Sequence, residues 1–369
     1  MITSNNYSYI QLLSTFIEKS DHIKDNSLQN FIASTLQKFN IKYELLKVGE
    51  NHSILISSFY KNKKEDSEAI LLNGHVDVVS PGNNWSRDPF KPYIIDGKMF
   101  GRGTSDMKSG LAALLIAYIE LFLDKKFHGN LKFISTTLEE KGCLGAKILI
   151  KERKDFFKDI KGIIIGEPTN LMLKLKQKGA LWFKFNSFGK IGHSSNPNSG
   201  ENAIQKMIET IDLLKKDLKN IKGLTLSLNK IKGGIANNIV PDFCEAVIDI
   251  RIPPNNDYEN LKNKITNFLR NKNIFFKELL FCPPFDYSNA NTPFINLAKK
   301  FFSELDLFEE NNDKVNYFTD GSIFQELNAP IIIVGPGEIN QAHKKNEFVY
   351  INKYLKSISL YKKFLKNLF

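Results

Sequence analysis

Hydrophobic and polar positions follow two periods along this chain. Apolar residues three and four apart predict a helix over 8–19, with Ile10, Leu13, Phe16 and Ile17 on one face. A second spans 27–39, with Leu28, Phe31, Ile32 and Phe39. Strands follow at Tyr43–Val48 and 53–58, and 61–68 reads as a charged turn. Ile70, Leu71 and Leu72 are then apolar without alternation, as in a parallel strand buried on both faces, and the segment runs out into His75-Val76-Asp77. The same design recurs downstream. A strand over 130–136 ends before Glu139-Glu140, and one over 161–165 ends before Glu167. The apolar run 331–334 ends in Gly335-Pro336-Gly337, with His343 shortly after. Helical spacing marks 109–123, 293–305, 321–327 and 351–367, and Gly142 and Gly145 open another helix.

Between these segments the pattern changes. Residues 179–281 read as strand 180–188, helix 201–218, strands 225–232 and 243–251, helix 257–271 and strand 274–281. That β-α-β-β-α-β order is the split βαβ, or ferredoxin-like, arrangement. It predicts an inserted α+β domain at 179–281, leaving 1–178 and 282–369 to form one α/β domain with a sheet flanked by helices. The insert carries two glycine-rich spots, Gly189-Lys190-Ile191-Gly192-His193-Ser194-Ser195 and Gly233-Gly234-Ile235-Ala236-Asn237-Asn238.

Strand ends of a parallel sheet share one edge, so residues distant in sequence meet there. His75, Glu140, Glu167 and His343 lie at or shortly after such ends. Asp106 sits in Gly103-Thr104-Ser105-Asp106-Met107-Lys108, just before the 109–123 helix. Read alone, Asp106 is a helix cap, and Lys108 a helix-start residue. Read together, two imidazoles and three carboxylates form a mixed N/O set suited to zinc, with cobalt or manganese as substitutes. Clustered carboxylates repel, and two divalent ions roughly 3.5–4 Å apart, bridged by one of them, would neutralise the set. Glu139 is left over as general base for a bound water. Residues i and i+2 of an extended segment share a side, so Asp77 can reach back and orient His75.

Composition narrows the classes. The 369 residues fit about two domains. Net charge is +11, but the lysines are dispersed and no Arg-rich block or aromatic RNA-binding pattern occurs, which excludes a nucleic-acid binder. The longest apolar run, 111–123, is too short for a bilayer. Residues 1–9 carry no apolar signal segment, and Cys143, Cys244 and Cys282 form no metal or redox spacing, so a reducing cytoplasm is expected.

Six motifs in order carry a resemblance: Gly74-His75-Val76-Asp77, Gly103 to Lys108, Glu139-Glu140, Gly166-Glu167-Pro168-Thr169, Gly192-His193-Ser194-Ser195 and the late His343. From about residue 8 to its end the chain resembles the dinuclear-zinc amidohydrolase and exopeptidase family. That family includes acetylornithine deacetylase, succinyl-diaminopimelate desuccinylase, aminoacylases and carboxypeptidase G. The resemblance implies a zinc-exopeptidase-like catalytic domain with a central mixed, mostly parallel sheet, plus a lid domain that usually forms a homodimer. It implies that Asp106 bridges two metal ions, completed by His75 and Glu167 on one side and Glu140 and His343 on the other. Asp77 would orient His75. Glu139 would be the base, and His193 would stabilise the oxyanion in the partner subunit's site. Arg251 and Asn238 match substrate-side positions, Arg251 gripping a substrate carboxylate. Pro336 and Gly337 would shape the pocket floor.

Residues 315–321 and 335–343 look like the acetylornithine deacetylase branch. The desuccinylase branch usually carries a Ser/Gly-rich run where this chain has 317–322. Leu138 departs from the family, which often has an acid there. The expected activity is removal of the N2-acetyl group of acetylornithine, in arginine biosynthesis, by attack of a zinc-bound hydroxide. The alternatives are desuccinylation of succinyl-diaminopimelate, or action on another N-acyl-amino acid or a dipeptide.

Overall fold

The structure, a computed structural model, describes residues 6–20, 23, 25–62, 68–254 and 256–369. They form two compact units. The larger comprises Met1–Lys176, Tyr287–Val315 and Thr319–Phe369, and the smaller Gln177–Asp286 and Asn316–Phe318. Most of the 61–68 turn expected from the sequence, residues 63–67, lies outside the described residues.

The larger unit is built on a sheet whose described strands run Tyr43–Val48, His52–Tyr60, Asn130–Thr136, Ala69–His75, Ile160–Ile165 and Ile331–Ile333. The first two pairings are antiparallel and the other three parallel. The sheet is therefore mixed and mostly parallel, as the unbroken apolar runs require. Ala69–His75 lies between two parallel neighbours and is buried at every position. Helix Ser109–Leu123 is apolar on almost every side, and only Glu120, Phe122 and Leu123 escape full burial. Such a helix must be covered all round. It packs on Ala69–His75 and against helices Asn6–Glu18 and Ile351–Leu368.

Because those four strands are parallel, their C-terminal ends meet at one edge. His75 stands opposite Thr136, and Asn73 opposite Ile165. The helix expected over 321–327 is shorter: Gly321–Phe324 is α-helical and Gln325–Leu327 tightens into a 3-10 turn. Asn328, left-handed at φ 56°, ends it.

The smaller unit has an antiparallel sheet in the order Thr225–Gly233, Phe243–Ile252, Gly179–Phe188, Phe275–Cys282. Alternate residues of Phe243–Ile252 are buried, the period of a sheet with one covered face. Helices Ala203–Leu218 and Tyr258–Asn271 share its apolar core. Asn202 and Asp257 cap them, their side chains accepting from backbone N–H groups of the first turn.

One close approach sets the height of helix Ser109–Leu123 against the sheet. A Cβ on Gly110 would lie 1.7 Å from the Gly166 carbonyl oxygen. Gly110→Ala must push the helix off the turn that carries Glu167. Overpacking of this kind is expected to cost about 1–3 kcal/mol, read as a lower urea midpoint.

Candidate metal centre

The strand-end edge delivers the expected residues to one place. His75 is the last residue of its strand, Glu139 and Glu140 follow Asn130–Thr136, and Glu167 follows Ile160–Ile165. Asp106 arrives from the other direction, on the tight turn Thr104–Lys108 that feeds helix Ser109–Leu123. Glu347 organises that turn. Its Oε1 accepts from the Ser105 and Asp106 amides at 2.8 and 3.0 Å, and its Oε2 from the Gly103 amide at 3.1 Å. Arg102 Nη1 donates to the same Oε2 at 2.6 Å. Both members of this ion pair are buried.

Asp106 faces two ways. Its Oδ1 is 3.3 Å from His75 Nε2, and its Oδ2 is 3.4 Å from His343 Nε2. On the first side Glu167 Oε1 lies 3.6 Å from His75 Nε2. On the second, His343 Nε2 is 2.9 Å from Glu140 Oε1. Two donor sets result, His75–Asp106–Glu167 and Asp106–Glu140–His343, with the donor atoms of each within 4.8 Å of one another. Glu139 is buried beside them, its Oε2 4.0 Å from His75 Nε2.

Asp77 connects the parts. His75 Nδ1 lies 3.0 Å from the Asp77 carbonyl and 3.5 Å from its carboxylate. The carboxylate also accepts from the Glu139 and Glu140 amides, at 3.2 and 3.1 Å. The Asp77 carbonyl thus orients the imidazole, while its carboxylate lies beside the ring and holds the acid pair.

The electrostatics fit a bound cation. Burial, reinforced by acidic neighbours, pushes the Glu139 and Glu167 carboxyls well above their usual range and raises Glu140. Burial opposes an Asp106 anion, yet His343 and His75 outweigh it and hold this carboxyl low. Hydrogen bonds to Asp106 and Glu140 lift His343 to about 10. Protons here do what a dication would do better: they relieve crowded negative charge. His75 Nε2 is buried, without a hydrogen bond of acceptable geometry, and aimed at two carboxylates. With Nδ1 turned to Asp77, that nitrogen is free to bind a metal ion. The donor set fits two divalent ions of the zinc class.

Residues 71–367 match the pattern of peptidase family M20/M25/M40. The chain belongs to that family. It is 30% identical to a probable succinyl-diaminopimelate desuccinylase of Staphylococcus aureus, over 98% of this chain and 98% of that protein. It is also 30% identical to an acetylornithine deacetylase of Buchnera aphidicola, over 95% of this chain and 88% of that protein. Among solved structures it is similar to a Staphylococcus aureus tripeptidase, with TM-score 0.81 at 21% identity, covering 99% and 98% of the two chains. As a member of the M20 family the chain is a hydrolase of the peptidase and deacylase class.

Three expected M20 site residues lie in the smaller unit. His193 is exposed, and its Nδ1 accepts from the Ser195 amide at 3.1 Å. A backbone N–H only donates, so Nδ1 is the acceptor and Nε2 carries the proton outward. The Asn238 carbonyl accepts from the Ser194 amide at 3.1 Å, tying the two glycine-rich loops together. Arg251 bonds Asp249 Oδ2 through Nε and Nη2, at 3.2 and 3.0 Å, and stacks 5.6 Å from the Phe318 ring centre. The fork expected for a substrate carboxylate is held by this neighbour.

Several residues of the site escaped the sequence reading. Lys108, taken as a helix-start residue, is wholly buried and donates through Nζ to the Val76 carbonyl. Glu347 gave no local signal, since its partners lie more than 240 residues back. Asp25, 2% exposed, accepts from Thr137 Oγ1 and lies 3.1 Å from His52 Nδ1. Asp320 accepts from Thr136 Oγ1, and burial lifts it to about 6.

Replacing the residue that joins the two halves tests the geometry. Asp77→Ala is expected to lower metal affinity about 10–100-fold. Asp106→Ala should reduce it further, because both donor sets lose a member. Titration of each apoprotein with zinc against a chromophoric chelator checks the order.

Proposed function

We propose that this protein is a two-metal amide hydrolase that removes the N2-acetyl group of N-acetylornithine, releasing ornithine and acetate. The observation that carries the hydrolytic reading is Asp106, shared by two donor sets with Glu139 buried alongside. His75, Asp106 and Glu167 would hold one ion, and Asp106, Glu140 and His343 the other, most simply zinc. Such ions supply Lewis acidity, polarising the scissile carbonyl and acidifying water.

The rest falls to the chain's own groups. Glu139 takes the proton of the attacking water and returns it to the departing amine nitrogen. A carboxyl raised toward neutrality by burial suits both transfers. His193 presents a protonated Nε2 on an exposed loop, the donor that a developing oxyanion requires. Arg251 and Asn238 are assigned to the substrate's carboxylate, with Arg251 exchanging Asp249 for it. The smaller unit serves as lid and dimer contact. It exposes Ile191, Ile235 and Phe275, at 53%, 77% and 67%, for such a contact. The enzyme works in the cytoplasm, and among the described residues no helix is long and apolar enough to cross a membrane.

The acetylornithine assignment rests on 315–321 and 335–343, and the Buchnera relative carries that name. A second reading, succinyl-diaminopimelate desuccinylase, is favoured by the Staphylococcus aureus relative at the same identity. The succinyl substrate carries two further carboxylates, one on its acyl chain and one at the far end of diaminopimelate, and each needs a partner in the pocket.

Two measurements test these assignments. Relative kcat/KM on N-acetylornithine, succinyl-diaminopimelate and a dipeptide, with and without chelator, should rank acetylornithine first and fall to background with chelator. A higher value for the succinyl substrate transfers the assignment. Glu139→Gln should retain metal and lose at least about a hundredfold in kcat, the lower range of general-base catalysis. Full activity in that variant removes Glu139 from the role of base.

A further inference from the structure

Helices Ala203–Leu218 and Tyr258–Asn271 cover one face of the smaller unit's sheet, through residues such as Ile248 and Ile250 of one strand and Leu181 and Phe183 of its neighbour. The alternate residues point to the other face. There Trp182 stands directly across one strand pair from Asp249, and Ser227 directly across the other. Arg251 follows Asp249 on the same face. The Asp249 and Arg251 side chains are 13% and 26% exposed, so their ion pair is largely withdrawn from water.

That pair is lopsided. Both aligned guanidinium bonds go to Asp249 Oδ2. Oδ1 is buried and lies 2.9 Å from Arg251 Nε, yet it accepts no hydrogen bond of acceptable geometry. Trp182 Nε1 is buried as well and donates to nothing among the described residues. A buried polar atom left unmatched is costly, and such exceptions call for a ligand or a water. An unmatched acceptor and an unmatched donor beside one ion pair point to a ligand that offers both.

Charge balance narrows the ligand further. When Arg251 turns its fork to a substrate carboxylate, Asp249 becomes a mostly buried anion without a counter-charge. Breaking a buried pair from one side is unfavourable for that reason. A ligand that also brings a cation replaces both partners at once. We propose that Asp249 determines specificity: it receives the side-chain ammonium of the substrate as Arg251 is released to the substrate's α-carboxylate. The site thereby selects N-acyl-amino acids that end in an ammonium over neutral and acidic ones. The proposal rests on the amide-hydrolase reading and on the assignment of Arg251 above. It is independent of the acyl group, because acetylornithine and succinyl-diaminopimelate both carry a carboxylate next to the amide and a free ammonium at the far end.

The test compares KM and kcat on N-acyl-ornithine, N-acyl-norvaline, which has the same carbon chain and no side-chain charge, and N-acyl-glutamate. The acyl group is acetyl or succinyl, whichever the wild type cleaves. The wild type should favour the ornithine substrate over the norvaline one by about 10–100-fold in kcat/KM, the scale of a hydrogen bond to a charged group. The glutamate substrate should be poorest. Asp249→Asn should bring the ornithine-to-norvaline ratio close to one, through a higher KM for the ornithine substrate with little change in kcat. If Asp249 only holds Arg251 in place, the variant loses on all three substrates alike, because all share the carboxylate that Arg251 takes. That result overturns the proposal, as does an unchanged ratio. If Asp249→Asn does not fold, Ser227→Lys decides: it sets an ammonium at an exposed strand position directly opposite Asp249. It should occupy the carboxylate and weaken the ornithine substrate selectively, and an unchanged ratio there overturns the proposal. A wild type that cleaves these substrates without charge preference keeps the hydrolase reading and overturns this proposal alone. One that cleaves neither acyl series removes the deacylase reading, and this proposal with it.

Discussion

Asp106, Glu139 and Glu167 converge on His75, and Glu140 joins Asp106 at His343, so each charge feels the others in a medium far less polar than bulk solvent. Left alone, such a group would protonate or spread apart. The larger unit prevents the spreading. Parallel strands fix where three of the acids start, Gly110 seats the helix that follows Asp106 on the turn before Glu167, and Glu347 collects the amides of the Asp106 turn. Asp77 ties His75 to the Glu139–Glu140 backbone, so neither can move without the other. The repulsion is thus retained by design, and it is the property that makes the place attractive to cations.

Much of this was legible before any coordinates. Apolar runs without alternation marked the parallel strands, and each was followed by a residue able to bind metal. The β-α-β-β-α-β order of the insert was equally plain, because its periods switch cleanly between helix and strand. What stayed hidden shares one physical reason. Glu347, Asp25 and Asp320 act through contacts made across long stretches of chain, to turn amides and to hydroxyls, and no spacing rule encodes such partners. Lys108 was visible as a residue but not as a buried one. Its stem packs into space that Gly103 leaves open, and that depends on a backbone angle rather than a pattern. Arg251 reads as an available fork from its strand-end position, while the chain sets Asp249 two residues before it as a ready partner.

Substrate choice is encoded differently from the reaction. The acid and imidazole set is common to hydrolysis of many amides, so it carries family membership and little more. Selectivity between an acetyl and a succinyl group turns on one carboxylate and its partner. The relatives named for these two activities stand at equal identity, so overall likeness does not separate them. The decision lies with the few cations and amides that face the acyl group.

Glu347 stands 241 residues after Asp106, yet it holds the turn that presents it. On the ribosome the segment 101–106 emerges long before its partner is made. Until Glu347 clears the exit tunnel, those four donors lack this acceptor and the turn lacks the anchor that places the shared carboxylate. A chain that stopped between His343 and Glu347 would carry every candidate ligand and lack the side chain that aims the central one.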